Sequence, residues 1–167
     1  MASDETLAIR KAMEAHDLEA AVNCFAPDAV VYSPFTTRTS FRGTDQVRLI
    51  TSVILEVTEG LAYTSEMRSE DEAYLRSTAS IGGQDIEFVD HLRFGPDGLI
   101  EEFTAFARPL PAAAVGLRVI GAALGRKKSK ARGALISALA APLAFMTRTG
   151  DGVGVALVRG AVEAAPN

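Results

Sequence analysis

One carboxylate interrupts a face of the sequence that is otherwise apolar. Ile86, Phe88, Asp90, Leu92 and Phe94 stand at every second position of a segment with strand-like alternation. Since successive side chains of a strand point to opposite faces, Asp90 should share the face of the other four. Burial without a nearby cation raises the pKa of a carboxyl group. Two interpretations stay open: an acid or hydrogen-bond donor in a pocket, or a buried Asp satisfied by backbone N–H groups or a serine.

The same alternation predicts which side chains surround Asp90. The expected lining is apolar with a few hydroxyl groups, which is typical of cavities that bind small molecules. On the strands it comprises Leu75, Ser77, Phe88, Phe103 and Ala105, on the third helix Ile50, Thr51 and Ile54, and at the rim Ser33 and Phe35. The alternative is that these side chains simply fill a core.

Three helices are expected to support this face from one side. The first covers residues 4–15, and the second runs from Asp17 as N-cap to Phe25, with apolar residues at helical spacing. The third begins with Thr44 as its cap and closes at Gly60, where a left-handed conformation would end it.

Strands make up most of the remaining body. A short strand is predicted at 30–32, and the period changes from 3.6 to 2 after Gly60, with alternating segments at 61–67, 73–81, 86–94 and 99–107. Gly82-Gly83 is typical of a two-residue hairpin. Helices followed by an antiparallel meander predict an α+β fold with the helices packed on one face of a curved sheet.

The last third of the chain differs in charge from the rest. Residues 1–110 contain 19 acidic and 9 basic side chains, whereas residues 111–167 contain 2 and 8. We predict a body over 1–110 and a basic, Ala-rich helical extension over 111–167. Its helices are expected at 112–124 and 134–146, with a basic hinge at 126–130 and a turn at 150–152. The extension should cap the body or form a dimer contact, and contact with an anionic membrane surface is the less favoured alternative.

Composition argues against several classes of protein. The acidic body disfavours nucleic-acid binding, because phosphate contacts require a basic surface. One Cys and two His are too few for the usual structural zinc site. The longest apolar run, 134–146, is shorter than the roughly 20 residues that span a bilayer, and the start of the sequence lacks the pattern of a signal peptide. We expect a cytoplasmic homodimer that uses no metal or organic cofactor.

Three segments resemble the ketosteroid isomerase-like group of the nuclear transport factor two-like superfamily, which also includes SnoaL-like polyketide cyclases. They are HDLEAAVNCFAPDAVVYSPF at 16–35, FRGTDQV at 41–47 and VDHLRFGPDGLIEEF at 89–103. The resemblance covers about residues 4–108 and implies a small cystatin-like α+β cone. Because this fold hosts enzymes, binding modules and assembly domains, it does not by itself imply an activity.

The resemblance also implies roles for individual residues. Steroid isomerases combine a base with a Tyr and a protonated Asp that stabilise an oxyanion. These positions fall on Ser33, about Ile9 and Asp90, so two of the three groups are missing and steroid isomerisation is disfavoured. SnoaL-like cyclases use a single pocket Asp resembling Asp90 as general acid/base. We therefore expect a pocket for a lipophilic small molecule with cofactor-free isomerase or cyclase chemistry at Asp90. The alternative is a non-catalytic ligand-binding or assembly module in which Asp90 is structural.

Overall fold

A computed structural model describes residues 7–163, except for the side chains at positions 157 and 160–163. It contains five helices and six strands within that range. The helices are α1 (Ala8–Glu14), α2 (Leu18–Val22), α3 (Gly43–Val57), α4 (Leu110–Arg126) and α5 (Lys130–Glu163). The strands are β1 (Phe25–Tyr32), β2 (Ser40–Arg42), β3 (Thr58–Arg68), β4 (Glu72–Ile81), β5 (Gln84–Phe94) and β6 (Ile100–Arg108).

The six strands form one open sheet in the order β2-β1-β6-β5-β4-β3. Neighbouring strands are antiparallel except for β1 and β6, which run parallel. The expected hairpin is confirmed: Ile81 pairs with Gln84, and Gly82 and Gly83 both have positive φ, which only glycine adopts readily. The α+β class, with helices against a sheet and a helical extension, is confirmed.

The start of the body differs from the expectation at the second helix. The Asp17 side chain caps α2 as predicted, accepting a hydrogen bond from the backbone N–H of Ala20 at 2.9 Å. However, α2 ends at Val22, and Phe25 already belongs to β1. The predicted helix was too long because Phe25 satisfies both a helical period and a strand. The register with β6 shifts between Phe25 and Val30, and such an irregular stretch tolerates Pro27 in a strand.

The third helix also begins and ends earlier than predicted. Its N-cap is Arg42, not Thr44, and the backbone N–H of Arg42 donates to Gln46 Oε1 at 3.0 Å. The helix ends at Val57, so Gly60 does not close it. Gly60 has a φ of +63° inside β3, where the register with β4 shifts between Glu59 and Ala62. The sequence predicts the left-handed conformation of Gly60 but places it in the wrong element, because a bulge requires the same conformation as a helix end.

The extension begins by packing on the body. Ala112, Ile120 and Ala123 of α4 are buried in the same core as Ile81 and Ile86 of the sheet. A Cβ at Gly116 would lie 3.1 Å from the Phe35 ring, so the backbone of α4 lies directly on that side chain. The boundary at residue 110 stays a prediction, although the first helix of the extension completes the core of the body.

The second half of the extension is one helix of 34 residues, α5. The expected turn at Gly150-Asp151-Gly152 is wrong, since the helix continues through it. A Cβ at Gly150 or Gly152 would meet no atom within 4 Å, so no close contact requires glycine at these positions, and the local glycine signal does not end the helix. In the part of the chain that the structure describes, no helix is long and apolar enough to cross a membrane.

Candidate functional site

A cavity of about 110 Å³ lies between α3, the sheet and α4. Its walls are almost entirely apolar. Of the residues expected to line it, the structure brings together Phe35, Ile50, Thr51, Ile54, Ser77, Phe88, Asp90, Phe103 and Ala105. The extension supplies one wall through Ile120 of α4, and Ile9 and Met13 contribute from α1.

Two expected lining residues, Leu75 and Ser33, lie outside this cavity. Leu75 has the predicted orientation but is fully buried, packed in a second cluster with Leu7 and Ile9. It does not reach the cavity because α1 covers that end of the sheet. Ser33 Oγ instead accepts a hydrogen bond from the backbone N–H of Phe35 at 3.2 Å, and the neighbouring Pro34 lines the cavity.

Asp90 is the only ionisable side chain among the described lining residues apart from a tyrosine. It lies in β5 between Leu75 on β4 and Ala105 on β6, and its exposed fraction is 6%. Within the described range, its carboxyl group forms no hydrogen bond or ion pair with a protein side chain or backbone group. Burial raises the pKa of Asp90 from 3.8 to about 7, because the charged form loses its water without gaining a partner.

Tyr63 of β3 is a second proton-carrying group in the cavity, and it is not among the lining residues predicted from the sequence. Its exposed fraction is 7%, and it pairs across the sheet with Ser77. Burial first, and then the negative charge of Asp90, raise the pKa of the Tyr63 phenol, so its hydroxyl stays protonated. The signal was present, since Tyr63 belongs to the alternating set of β3. Only the register between strands places it in the same cavity as Asp90.

Backbone contacts hold Tyr63 in place. Its N–H donates to Glu14 Oε1 at 2.9 Å, and its carbonyl accepts a hydrogen bond from Arg10 at 3.1 Å. These contacts join β3 to α1, so both walls of the cavity at this end are fixed to each other. Among the described residues, no group of three or more His, Cys, Asp or Glu side chains is arranged to hold a metal ion.

Within the cavity, polar groups other than Asp90 and Tyr63 are hydroxyls on α3, on β4 and at the start of β3. Thr58 Oγ1 donates to the carbonyl of Ile54 at 2.7 Å, which removes its proton from use in the cavity. Thr51 and Ser77 are buried, at 7% and 1% exposure. The arrangement can therefore present one titratable carboxyl group and one neutral phenol to a ligand surrounded by hydrocarbon.

Comparison with known families assigns the fold to a group. The sequence profile of the SnoaL-like domain matches residues 7–103, from the start of the described chain into the first half of β6. The chain belongs to the SnoaL-like family. No curated protein matches it in sequence.

Solved structures similar to this SnoaL-like protein share its body. A steroid delta-isomerase from Pseudomonas aeruginosa is 26% identical, with a TM-score of 0.61 over 71% of this chain and 85% of that chain. An uncharacterized bacterial protein with a cystatin-like fold from Silicibacter pomeroyi is 20% identical, with a TM-score of 0.64 over 72% and 82%. A SnoaL-like protein from Burkholderia thailandensis is 19% identical, with a TM-score of 0.52 over 61% and 90%.

The cavity of this SnoaL-like chain departs from the steroid isomerase pattern at both positions identified in the sequence. Ile9 lines the cavity but has no proton to donate, and Ser33 lies outside it. Of the three groups that the resemblance named, Asp90 alone is both present and inside the cavity. Tyr63 adds a phenol from a different element, the strand β3 rather than the first helix.

Proposed function

We propose that this protein binds a small lipophilic carbonyl compound and catalyses a proton shift in it, as a cofactor-free enzyme of the isomerase or cyclase type. The observation that carries the proposal is an unpaired, buried carboxyl group in an apolar cavity, next to a phenol that stays protonated. Family membership supports a role of this class, since SnoaL-like folds include cyclases.

The proposed chemistry uses Asp90 as the base and then as the acid. Its carboxylate removes a proton from the carbon beside the substrate carbonyl, and the electron pair of that C–H bond moves into an enolate. The Tyr63 hydroxyl donates a hydrogen bond to the enolate oxygen, where negative charge develops. The protonated Asp90 then returns the proton to a carbon of the enolate or its conjugated extension. No other reactant is consumed.

The pKa of Asp90 suits this cycle. At about 7, both the carboxylate and the acid are well populated at neutral pH, and a general base is most effective when its pKa lies near the working pH. An ordinary Asp with a pKa of 3.8 would be a weaker base by about three orders of magnitude in proton affinity. The apolar walls are thus part of the proposed mechanism.

The cavity limits the size of the ligand. Its volume of about 110 Å³ is below the roughly 300 Å³ at which pockets for drug-sized molecules begin. A dry cavity of about 150 Å³ holds benzene. This cavity is smaller, so with the walls as they stand it encloses at most a single ring of the ligand. A four-ring substrate requires movement of α4, whose Ile120 forms one wall.

The alternative, a ligand-binding module without catalysis, is favoured by one specific observation. Neither Ser33 nor Ile9 supplies the groups that the steroid isomerase pattern would place there, so Asp90 would have to act as both base and acid. In a binding module, protonated Asp90 would donate a hydrogen bond to the ligand carbonyl and no C–H bond would break.

Deuterium exchange distinguishes these two functions. Cyclohexanone and 2-cyclohexenone are one-ring probes, and NMR in D₂O measures exchange of the protons beside their carbonyl groups. We expect the full chain to accelerate exchange, Asp90→Asn to abolish that acceleration, and Tyr63→Phe to reduce it. Asp85→Asn is the matched control, because Asp85 lies on the same strand but is exposed to solvent.

The outcome separates three cases. Exchange that depends on Asp90 but not on Asp85 supports the enzyme. Probe binding in an NMR shift titration, without exchange above the solution rate, supports the binding module. If neither probe binds, and thermal stability of wild type and Asp90→Asn responds identically to both probes, the proposed ligand class is wrong.

A further inference from the structure

Helix α5 has an inner face that packs on α4. A Cβ added at Gly133 would lie 2.8 Å from the carbonyl oxygen of Ala122, so the two backbones are in contact at this point. Farther along, Ala144 is 4% exposed and packs with Val115 of α4. Small residues on this side therefore bring the two helices into close contact.

The opposite face of α5 is apolar and uncovered. Large apolar side chains recur at spacings of four, four, three and seven residues, which aligns them along one side of a helix. Their exposed fractions are 59% for Leu135, 74% for Leu139, 47% for Leu143, 68% for Met146 and 63% for Val153. We call these five residues the outer stripe. An apolar strip of this length is rarely left in water without a function.

The charge around the outer stripe is mostly basic, with one acidic residue, Asp151, inside its span. Between residues 111 and 150 the sequence contains seven Lys or Arg residues and no Asp or Glu. Lys130 and Arg132 are exposed at the beginning of α5, and Lys128 is exposed just before it. Of the seven basic residues between 111 and 150, only Arg126 and Lys127 form ion pairs among the described residues, and both pair with Glu56.

We propose that the outer stripe docks on an anionic lipid bilayer, with α5 lying in the plane of the interface. A long helix with an apolar face and basic residues beside it is typical of such binding. In the proposed arrangement α5 lies on the surface of the bilayer and does not span it. The proposal does not depend on Asp90 or on the proposed reaction.

The charge favours lipid over a second copy of the chain as the occupant. In a symmetric dimer the same patch meets itself, so the basic residues beside one stripe would face the basic residues beside the other. Within the span of the stripe only Asp151 could balance them, so mostly like charges would be brought together. Anionic headgroups neutralise the same residues, and the acyl region accepts the stripe.

Vesicle flotation of the full chain tests this proposal. We expect binding to vesicles of phosphatidylcholine with roughly a third phosphatidylglycerol, and loss of binding at high salt. Lys128→Gln combined with Arg132→Gln should weaken partitioning by about thirtyfold, the effect of two basic residues at the surface. Leu139→Ser combined with Met146→Ser should weaken it by on the order of a hundredfold.

A tryptophan reporter locates the contact, because the natural sequence contains no Trp. Leu139→Trp should shift its emission to the blue on anionic vesicles. Met67→Trp is the matched control, since Met67 of β3 has a similar exposed fraction of 68%, and its emission should not change.

Two results would overturn the proposal. One is absence of binding to the anionic vesicles, or equal binding to vesicles of phosphatidylcholine alone. The other is a dimer in light scattering that Leu139→Ser with Met146→Ser converts to a monomer, because a second copy would then cover the stripe.

Discussion

Replacing Asp90 by Asn should make the protein more stable at alkaline pH. The reason is that Asp90 has a pKa of about 7 when folded and close to 3.8 when unfolded. Below pH 3.8 both states hold the proton, and the carboxyl group adds no pH dependence. Between pH 3.8 and 7 the folded state keeps a proton that the unfolded state loses, so the free energy of unfolding falls as pH rises. Above pH 7 both states are ionised and the loss is complete.

The size of this loss follows from the shift. A difference of about three pKa units, at 1.36 kcal/mol per unit, gives about 4 kcal/mol. The conversion is appropriate to a side chain that is 6% exposed, where solvent screens little. Asn is neutral at every pH and has nearly the shape of protonated Asp. The difference in stability between Asp90→Asn and wild type should therefore rise with pH by up to about 4 kcal/mol and then become constant.

Urea unfolding measured from pH 4 to pH 9 provides the comparison. Subtracting wild type from variant at each pH removes the contributions of all other carboxyl groups that the two proteins share. Asp85→Asn, which changes an exposed Asp on the same strand, should give a difference that does not vary in this way. A flat difference for Asp90→Asn would refute the reasoning, and a difference that falls with pH would show that the ionised carboxylate is stabilised by a partner.

Three further predictions concern the proposed reaction, the cavity wall formed by α4, and the contact between α4 and α5. If Asp90 acts as the base, the rate of exchange in the one-ring ketones should rise as pH increases through about 7 and level off above it, whereas an acid role gives the reverse profile. Ile120→Ala removes buried side-chain volume from the α4 wall, so we expect a loss of about 2–5 kcal/mol in urea unfolding, against less than about 0.5 kcal/mol for the exposed Leu139→Ala. Gly133→Ala places a Cβ against the Ala122 carbonyl and should loosen α5 from α4, seen as faster proteolysis in α5, whereas Gly150→Ala meets no neighbour and should strengthen the helix by about 0.5–1 kcal/mol.

The orientation of Asp90 could be predicted from sequence because it depends on one local rule. Alternation along β5 fixes which side chains share a face, whatever the rest of the chain does. Membership of the cavity is a different question, since it depends on what covers each part of that face. Leu75 has the predicted orientation but lies under α1, and Tyr63 enters the cavity through the irregular pairing of β3 with β4. Neither the packing of α1 over Leu75 nor the shifts in register between β3 and β4 produces a periodic pattern in the sequence.

The errors in the elements have a similar origin. Phe25 fits the apolar spacing of a helix and also begins a strand, and only its pairing with Ile100 of β6 decides between them. Gly60 marks a bulge and Gly150 an uninterrupted helix, although both are strong local signals for an end or a turn. Tertiary pairing overrides the local signal at Phe25 and at Gly60. At Gly150 the helix continues although the local signal predicts a turn.

The energetics of Asp90 bear on whether its role is structural. A carboxylate retained for stability is held by hydrogen bonds or cations, and these lower its pKa. Asp90 has the opposite shift, so at pH 8 its ionised form reduces the free energy of unfolding by about 4 kcal/mol. Natural domains are stable by only about 5–15 kcal/mol, so this is a large part of the total. A structural role would require Asn at this position to leave the protein less stable at pH 8, whereas the unpaired carboxyl group in its apolar cavity requires the variant to be more stable.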